Sequence, residues 1–344
     1  VDDLFVASRC IFCRPVLYHA RVKRTERIAG FCAVLWAWFE RHKRTLPWRD
    51  LTLEDINERA YRILISEIML QQTQVPRVVV LYARFLEEFP TMASLARASN
   101  AEVIRAWRGL GYNSRALRLR DAARTIVDGH AGVFPTAMED LLAIKGIGAY
   151  TAAAIRNFAF NLPTPCIDTN IRRILHRAFI GPERPDGTWE TSDRSLLPLA
   201  EEILEAAIDN SGNDIPHDAR NWHAALMDFG SIICTKRNPK WDICPLTAAG
   251  LMKAAYKVKL EKSSAKKQEP GRDVGGTFVP NRIFRGRIVE QLRDTQEGMA
   301  LADIGAHISV DWSERLHKKW LRELLEKLEK DGMVARKKNR YLLA

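Results

Sequence analysis

The 344-residue sequence has only six cysteines, too few for a disulfide framework, and so points to a reducing compartment. It contains no run of about 18 apolar residues, the length a membrane-spanning helix requires, so no transmembrane helix and no membrane partner are expected. The first 27 residues carry Arg9, Arg14, Arg21, Lys23 and Arg24 without the apolar core and cleavage pattern of a secretory signal, and they read as a poorly ordered N-terminal extension. Alternating strand patterns are scarce as well. Apolar residues instead recur at helical spacing through most of Ile28 to Ala255, which predicts an all-α core. Lys and Arg number 53 against 42 Asp and Glu, a formal net charge of +11, which suits a polyanionic partner. Cys10 and Cys13 form a C-x-x-C, but no second pair accompanies them, so zinc or redox chemistry there has little support.

Two stretches carry most of the chemistry. In Leu141 to Ala154, LLAIKGIGAYTAAA, the run Lys145, Gly146, Ile147, Gly148 lies between apolar helical segments. Glycines there permit a tight turn whose backbone N–H groups face an anion at the start of the next helix. The same pattern also suits an ordinary helical hairpin with a glycine turn. Twenty residues after Gly148 comes Asp168, in Cys166-Ile167-Asp168-Thr169-Asn170, which reads equally as an N-cap of the helix that follows. In Tyr61 to Val75, YRILISEIMLQQTQV, only Ser66 and Glu67 are polar between Ile63 and Leu70, so this helix should be buried nearly all round. Burial would raise the pKa of Glu67 and keep it protonated as a proton donor; the alternative is a solvated Glu on a weakly amphipathic helix.

Hairpin, glycine loop and Asp together resemble the signature of the helix-hairpin-helix (HhH-GPD) DNA glycosylase superfamily, and SEIMLQQTQV closely resembles the catalytic-helix motif of its MutY-type adenine glycosylases. The resemblance runs from about Ile28 to Pro245. It implies that Glu67 protonates the adenine and that Gln71 and Gln72 press into the DNA stack. Trp107 to Ala116, WRGLGYNSRA, is similar to a second DNA-facing loop of that family, making Tyr112 the residue that wedges beside an oxidised guanine. The family usually has another aromatic next, where this chain has Asn113. Leu46-Pro47-Trp48-Arg49 resembles the entry to the base pocket, with Trp48 and Arg49 at the adenine, and Asp228 in LMDFG matches an acidic position that accepts from the adenine amino group. Asp168 would stabilise the oxocarbenium-like sugar or add to it transiently, the two-carboxylate logic of glycoside hydrolysis, and Asn170 would position it or the phosphate.

Tyr150 stands where strand-cutting relatives usually carry a lysine that attacks the sugar as a Schiff-base amine, so a monofunctional enzyme is expected. Relatives commonly hold a [4Fe–4S] cluster on four cysteines spaced C-x6-C-x2-C-x5-C. Here Cys234 and Cys244 remain, with Trp241 and Gly250 at the other two positions, so the expectation is a clusterless relative with no cofactor.

The expected organisation is an extension (1–27), a helical domain carrying Asp168 (28–52 plus 156–255), a central helical domain with the hairpin (53–155) and a flexible charged linker (256–277). A winged helix-turn-helix domain (278–344) follows, with helices near 281–293, 300–308 and 313–330 and a two-stranded wing around Lys337 to Asn339. This C-terminal segment is unlike the nucleotide-hydrolase-like domain with which the family usually recognises 8-oxoguanine, so preference for that opposite base is open. The expected partner is duplex DNA with a mispair or an oxidised guanine, bound by a monomer, intracellular in any case and nucleoid-associated in the cytoplasm of a bacterium or archaeon. Two alternatives stay open: a thymine or uracil mismatch glycosylase acting opposite guanine, and a non-catalytic winged-helix DNA-binding regulator.

Overall fold

The computed structural model describes residues 13–209, 211, 214–256 and 269–344, with side chains from Lys23 onward. In chain order the helices are α1 (Cys13–His42), α2 (Ile56–Leu70), α3 (Val75–Glu88), α4 (Met92–Arg97), α5 (Asn100–Ala106), α6 (Ser114–Gly129), α7 (Met138–Ala143), α8 (Ala149–Phe158), α9 (Thr169–Leu175), α10 (Asp193–Ala207), α11 (Ala219–Ile232), α12 (Pro245–Ala248), α13 (Asn281–Arg293), α14 (Leu301–Ile308) and α15 (Glu314–Lys330). Among the described residues, strands occur only near the C-terminus: β1 (Gly271–Val274), β2 (Thr277–Pro280), β3 (Met299–Ala300), β4 (Val334–Lys337) and β5 (Arg340–Leu343). The all-α reading of the core therefore holds. Two compact units divide the chain, one from the described residues of Val1–Arg44 and Asn161–Lys262, the other from those of Thr45–Phe160 and Ser263–Ala344.

The first unit is organised by α1, whose Phe31, Leu35 and Phe39 are fully buried at four-residue spacing, a stripe along one helical face. Phe31 meets Trp222 of α11 edge-on at 6.2 Å, and Trp38 meets Phe229 at 5.2 Å and 87°, the offset geometry aromatic quadrupoles favour. Helix α1 begins at Cys13, so the second half of the expected extension is the first turns of this helix; Cys10 lies outside the described residues, as does the side chain of Cys13.

In the second unit α2 is buried at every residue from Ile63 to Met69, as its composition requires. Asp55 caps its start, accepting from the N–H groups of Asn57 and Glu58, and α8 packs against it. The hairpin between α7 and α8 turns at Gly146, whose φ of +102° favours glycine. A Cβ there would also stand 3.3 Å from the Arg118 carbonyl of α6.

The last part of the expected linker belongs to a β-hairpin. Residues 257–268 lie outside the described residues, but β1 and β2 pair antiparallel across Gly275 and Gly276, with Val274 opposite Thr277. Both glycines have positive φ, +55° and +80°, as a two-residue primed hairpin turn demands. After this hairpin, α13, α14 and α15 surround a three-stranded sheet in the order β3-β5-β4. This C-terminal segment shares its apolar core with the central helices: Ile104 of α5 and Leu117 of α6 sit in one cluster with Phe284, Leu292, Leu325 and Met333. Polar ties reinforce the junction. Arg293 donates to the Ile104 carbonyl at 3.1 Å and to Asn113 Oδ1 at 2.9 Å, and Asn100 donates to the Gly332 carbonyl.

Candidate active site

In the second unit, Glu67 lies on the buried helix α2, 8% exposed. Immediately beyond α2 the chain turns sharply. Gln71 is extended and partly buried, and Gln72 is exposed with a φ of +60°, so the two glutamines project from the end of the helix that carries Glu67. Tyr112 stands on a loop after α5 with a φ of +45° and is 53% exposed.

Arg115 joins these two features. Only 2% exposed, its guanidinium donates to the carbonyls of Ile68 and Met69 at 3.0 and 2.9 Å and also to that of Gln71, all at the end of α2. It also reaches Leu110 and Gly111 at 2.9 and 3.1 Å on the Tyr112 loop, and lies 5.4 Å from the Trp107 ring and 5.7 Å from the Tyr112 ring. The last carbonyls of a helix lack intrahelical partners; here one buried cation satisfies them while holding the neighbouring loop. Burial pushes its pKa down to about 10, with Arg118 adding to the effect, which leaves it charged near neutral pH. Arg115 sits inside the motif WRGLGYNSRA, but no property of the sequence separates it from the surface arginines around it.

Along the hairpin, Lys145 and Gly148 are exposed and Ile147 is buried. Ile147 donates its N–H to the Ile144 carbonyl at 3.0 Å, so it anchors the turn, and an anion would meet the neighbouring N–H groups. Tyr150 is partly buried in the first turn of α8. Trp48 is buried against Tyr82, 5.5 Å away and edge-on, while Arg49 beside it is partly exposed.

In the first unit, Asp168 caps α9. Its Oδ1 accepts from the N–H groups of Asn170 and Ile171 at 2.8 and 2.7 Å, and its Oδ2 from the Asn170 amide at 3.0 Å. The N-cap reading of this aspartate holds, and the cap fixes the direction of its side chain and supplies donors to its charge. Burial raises the Asp168 carboxyl above the ordinary value, opposed by those donors and by Arg173. Asn170 is itself oriented, because Arg173 donates to its Oδ1 at 2.7 Å. Arg173, 6% exposed, is pinned in turn by the carbonyls of Gly230 at 2.8 Å and Cys234. A line of contacts therefore runs from α11 through Arg173 and Asn170 to Asp168, and sequence reasoning reached only its last two members. Gly230 is essential to it, since a Cβ there would lie 2.7 Å from Asn170 Cβ. Gly230→Ala is expected to destabilise the protein by about 1–3 kcal/mol and to slow base release by displacing Asn170. Chemical denaturation beside single-turnover kinetics checks this, and an unchanged rate would show that Asn170 does not position Asp168.

Asp228 is fully buried on α11, and Arg44 holds it: the Arg44 N–H donates to Oδ2 at 3.0 Å and its Nε to Oδ1 at 2.7 Å. A base amino group would have to compete with that bidentate pairing. At the positions matching cluster ligands, Cys234 and Cys244 are buried. The Arg177 guanidinium lies 3.5 Å from Cys234 Sγ and 5.1 Å from the Trp241 ring centroid, with Glu183 balancing it at 2.9 Å. Burial pushes the Cys234 thiol up. Two thiols, an indole and a glycine do not make the full ligand set an iron–sulfur cluster requires, and among the described residues no group of three or more His, Cys, Asp or Glu is placed to hold a metal ion.

Residues 65–202, the span from α2 through the hairpin and Asp168, match the HhH-GPD superfamily of base excision DNA repair proteins. An adenine DNA glycosylase of Mycolicibacterium smegmatis is 33% identical over 302 residues, covering 87% of this chain and 91% of the relative. The chain belongs to the adenine DNA glycosylase family. A Mycobacterium tuberculosis adenine DNA glycosylase is likewise 33% identical, over 88% of this chain and 89% of its own length. Among solved structures, a thermostable thymine-DNA glycosylase superposes with a TM-score of 0.55 at 26% identity, covering 66% of this chain and 95% of that one. The likeness to the adenine DNA glycosylases thus extends well beyond the hairpin. No helix among the described residues is long and apolar enough to cross a membrane.

Proposed function

We propose that the protein extrudes a mispaired adenine, opposite 8-oxoguanine or guanine, from duplex DNA and hydrolyses its bond to the sugar. The observation that carries this is a carboxyl, Glu67, on a helix buried all round in a chain resembling adenine DNA glycosylases over nearly its full length. Breaking the bond requires a proton on the departing base and negative charge beside the oxocarbenium-like sugar. Glu67 supplies the proton, and Asp168, fixed as a cap, supplies the charge. Tyr150 brings no amine to the sugar, so water completes the reaction. Unpairing and unstacking the adenine cost a few kcal/mol, offset by pocket contacts and by the inserted side chains of Gln71, Gln72 and Tyr112. Trp48 and Arg49 contact the adenine, and Asp228 accepts from its amino group in competition with Arg44. The hairpin holds a phosphate, and the C-terminal helices and sheet constitute a winged helix-turn-helix. The enzyme acts as a monomer.

Single-turnover base release from A:8-oxoG, A:G, T:G and U:G duplexes tests this reading, with borohydride in parallel reactions expected to leave no covalent adduct. Release of thymine or uracil alone would establish the second reading, a mismatch glycosylase, which the thymine-DNA glycosylase likeness favours. Binding without any release would leave a DNA-binding regulator. The pH profile carries further information. Asp168 acts ionised, and burial raises its pKa, so lowering the pH should protonate it and slow release at a pH above the ordinary aspartate value of 3.8. A rate that stays flat down to that value would remove Asp168 from this role.

We further propose that the enzyme works without an iron–sulfur cluster, on the support of Trp241, Gly250 and the Arg177 guanidinium beside Cys234. Anaerobically purified protein is expected to lack visible iron–sulfur absorbance, and stoichiometric iron would overturn the claim.

A further inference from the structure

Helix α15 and the turn between β4 and β5 gather unpaired positive charge. From Arg315 to Arg322 the chain has four Lys or Arg and no acidic residue, and after Asp331 it again has four with no acidic residue. Arg315, Lys319 and Arg322 are exposed, spaced four and three residues apart, the interval that places side chains on one helical face. Lys337 and Lys338 stand exposed at the β4–β5 turn. Among the described residues none of these five makes an ion pair, whereas Lys318 beside them is paired with Glu314 at 2.6 Å. The corner before this face is held from two sides. Arg272 of β1 donates to both carboxylate oxygens of Asp311 at 2.7 Å, and its guanidinium lies 4.6 Å from the Trp320 ring of α15. Trp312 folds back on α14, where a Cβ at Gly305 would stand 2.3 Å from its ring. Between these anchors Val310 is 95% exposed, and Leu316 just beyond them is 73% exposed.

We propose that this face is a second grip on DNA, in which the first half of α15 and the β4–β5 turn bind phosphates of the duplex flanking the target adenine. The inference rests on the glycosylase reading above and deepens its winged helix-turn-helix, in which α15 is the helix that meets the duplex. Five unpaired cations in acid-free stretches attract a polyanion, and each that meets a phosphate releases condensed counterions. Lys and Arg on phosphates position a duplex without reading its bases, which suits an enzyme that must act wherever a mispair arises. Val310 and Leu316, apolar and exposed at the same corner, suit the deoxyribose faces between phosphates. The face is also carried in a fixed place by the unit that holds Glu67 and the hairpin. The C-terminal segment shares its core with α5 and α6, and Arg108 pairs with Asp294 at 2.5 Å and with Glu290 of α13 at 3.3 Å. Leu328, near the end of α15, lines one cleft with Tyr112. Arg315 lies thirteen residues earlier, about 20 Å along the helix axis, so the grip falls on flanking duplex and not on the mispair.

The test measures affinity of full-length Glu67→Gln protein for a long duplex with a central A:8-oxoG pair, between about 0.05 and 0.2 M salt. Adding Arg315→Gln, Lys319→Gln, Arg322→Gln, Lys337→Gln and Lys338→Gln should weaken binding about tenfold or more at the higher salt. The slope of log affinity against log salt should become shallower by about 2 or more, each lost phosphate contact contributing about 0.9. Lys337→Gln with Lys338→Gln alone, on an exposed turn where folding is not at stake, should make it shallower by about 1 to 2. Arg84→Gln with Arg97→Gln, exposed on α3 and α4, removes as much charge as the turn pair and should leave the slope as it was. The losses should be the same for unrelated flanking sequences. Slopes unchanged in both test variants, an equal change in the α3–α4 control, or losses confined to one flanking sequence would overturn the inference. Adenine release by the parent protein beside any of those results leaves the glycosylase reading intact; absence of release from the parent overturns that reading itself.

Discussion

Glutamine at position 67 should reduce single-turnover adenine release by about 10³-fold, within the 10²–10⁴ range that general acid catalysis contributes, while duplex binding persists. The substitution keeps the shape of the side chain in α2, where every residue from Ile63 to Met69 is buried, and removes only the proton it donates. Asparagine at position 168 makes the companion experiment. Asn caps helices about as well as Asp, so the cap on the N–H groups of Asn170 and Ile171 survives while the charge beside the sugar is lost, and a comparable fall in rate is expected. The double variant should be little slower than either single variant, because groups that serve one transition state are not additive. Thermal melts accompany the kinetics, so that a folding defect is not mistaken for lost chemistry. A Glu67→Gln rate within tenfold of the parent would remove Glu67 as the proton donor.

Arg115→Met should have the largest effect on stability, about 3–5 kcal/mol and a fall in thermal midpoint of roughly 10 °C. Methionine fills comparable space but offers no donor, leaving the carbonyls of Ile68, Met69, Leu110 and Gly111 short of a partner in a buried place. Arg115→Lys should fall between parent and Met, since an ammonium is a point donor that cannot span two sets of carbonyls as a planar guanidinium does. Both variants should also lose opposite-base preference, because the Tyr112 loop is no longer fixed to the end of α2. Urea denaturation with the duplex panel checks both parts; a Met variant within 1 kcal/mol of the parent would mean that these carbonyls find other partners.

What the sequence disclosed depended on whether a residue's task is local. The burial of α2, the glycine turn at Gly146 and the cap at Asp168 are encoded within a few neighbouring residues, and all were readable. The three C-terminal helices and the final hairpin were readable for the same reason. Gly275 and Gly276 were misread as linker because a glycine pair suits both a flexible chain and a primed turn, and only the pairing of Val274 with Thr277 separates the two. Arg115, Arg173 and Gly230 work through partners far along the chain: Arg115 reaches back 47 residues to Ile68 and Arg173 forward 57 to Gly230. Nothing in the local pattern announces such partners. Asp228 shows the same limit from the other side, since its pairing with Arg44, 184 residues distant, is invisible along the chain.

The core shared by the central helices and the C-terminal segment bears on how the protein is made. Ile104 and Leu117 emerge from the ribosome long before Phe284, Leu292 and Leu325, which complete their surroundings. At about 5–20 residues per second, the interval between Leu117 and Phe284 is roughly ten to thirty seconds. During that time α5 and α6 present an unfinished apolar face, and α1 likewise waits for the helices that follow Asn161. Synthesis arrested anywhere between Asp168 and α13 therefore yields a chain that has both carboxylates proposed for catalysis and an exposed patch prone to aggregation.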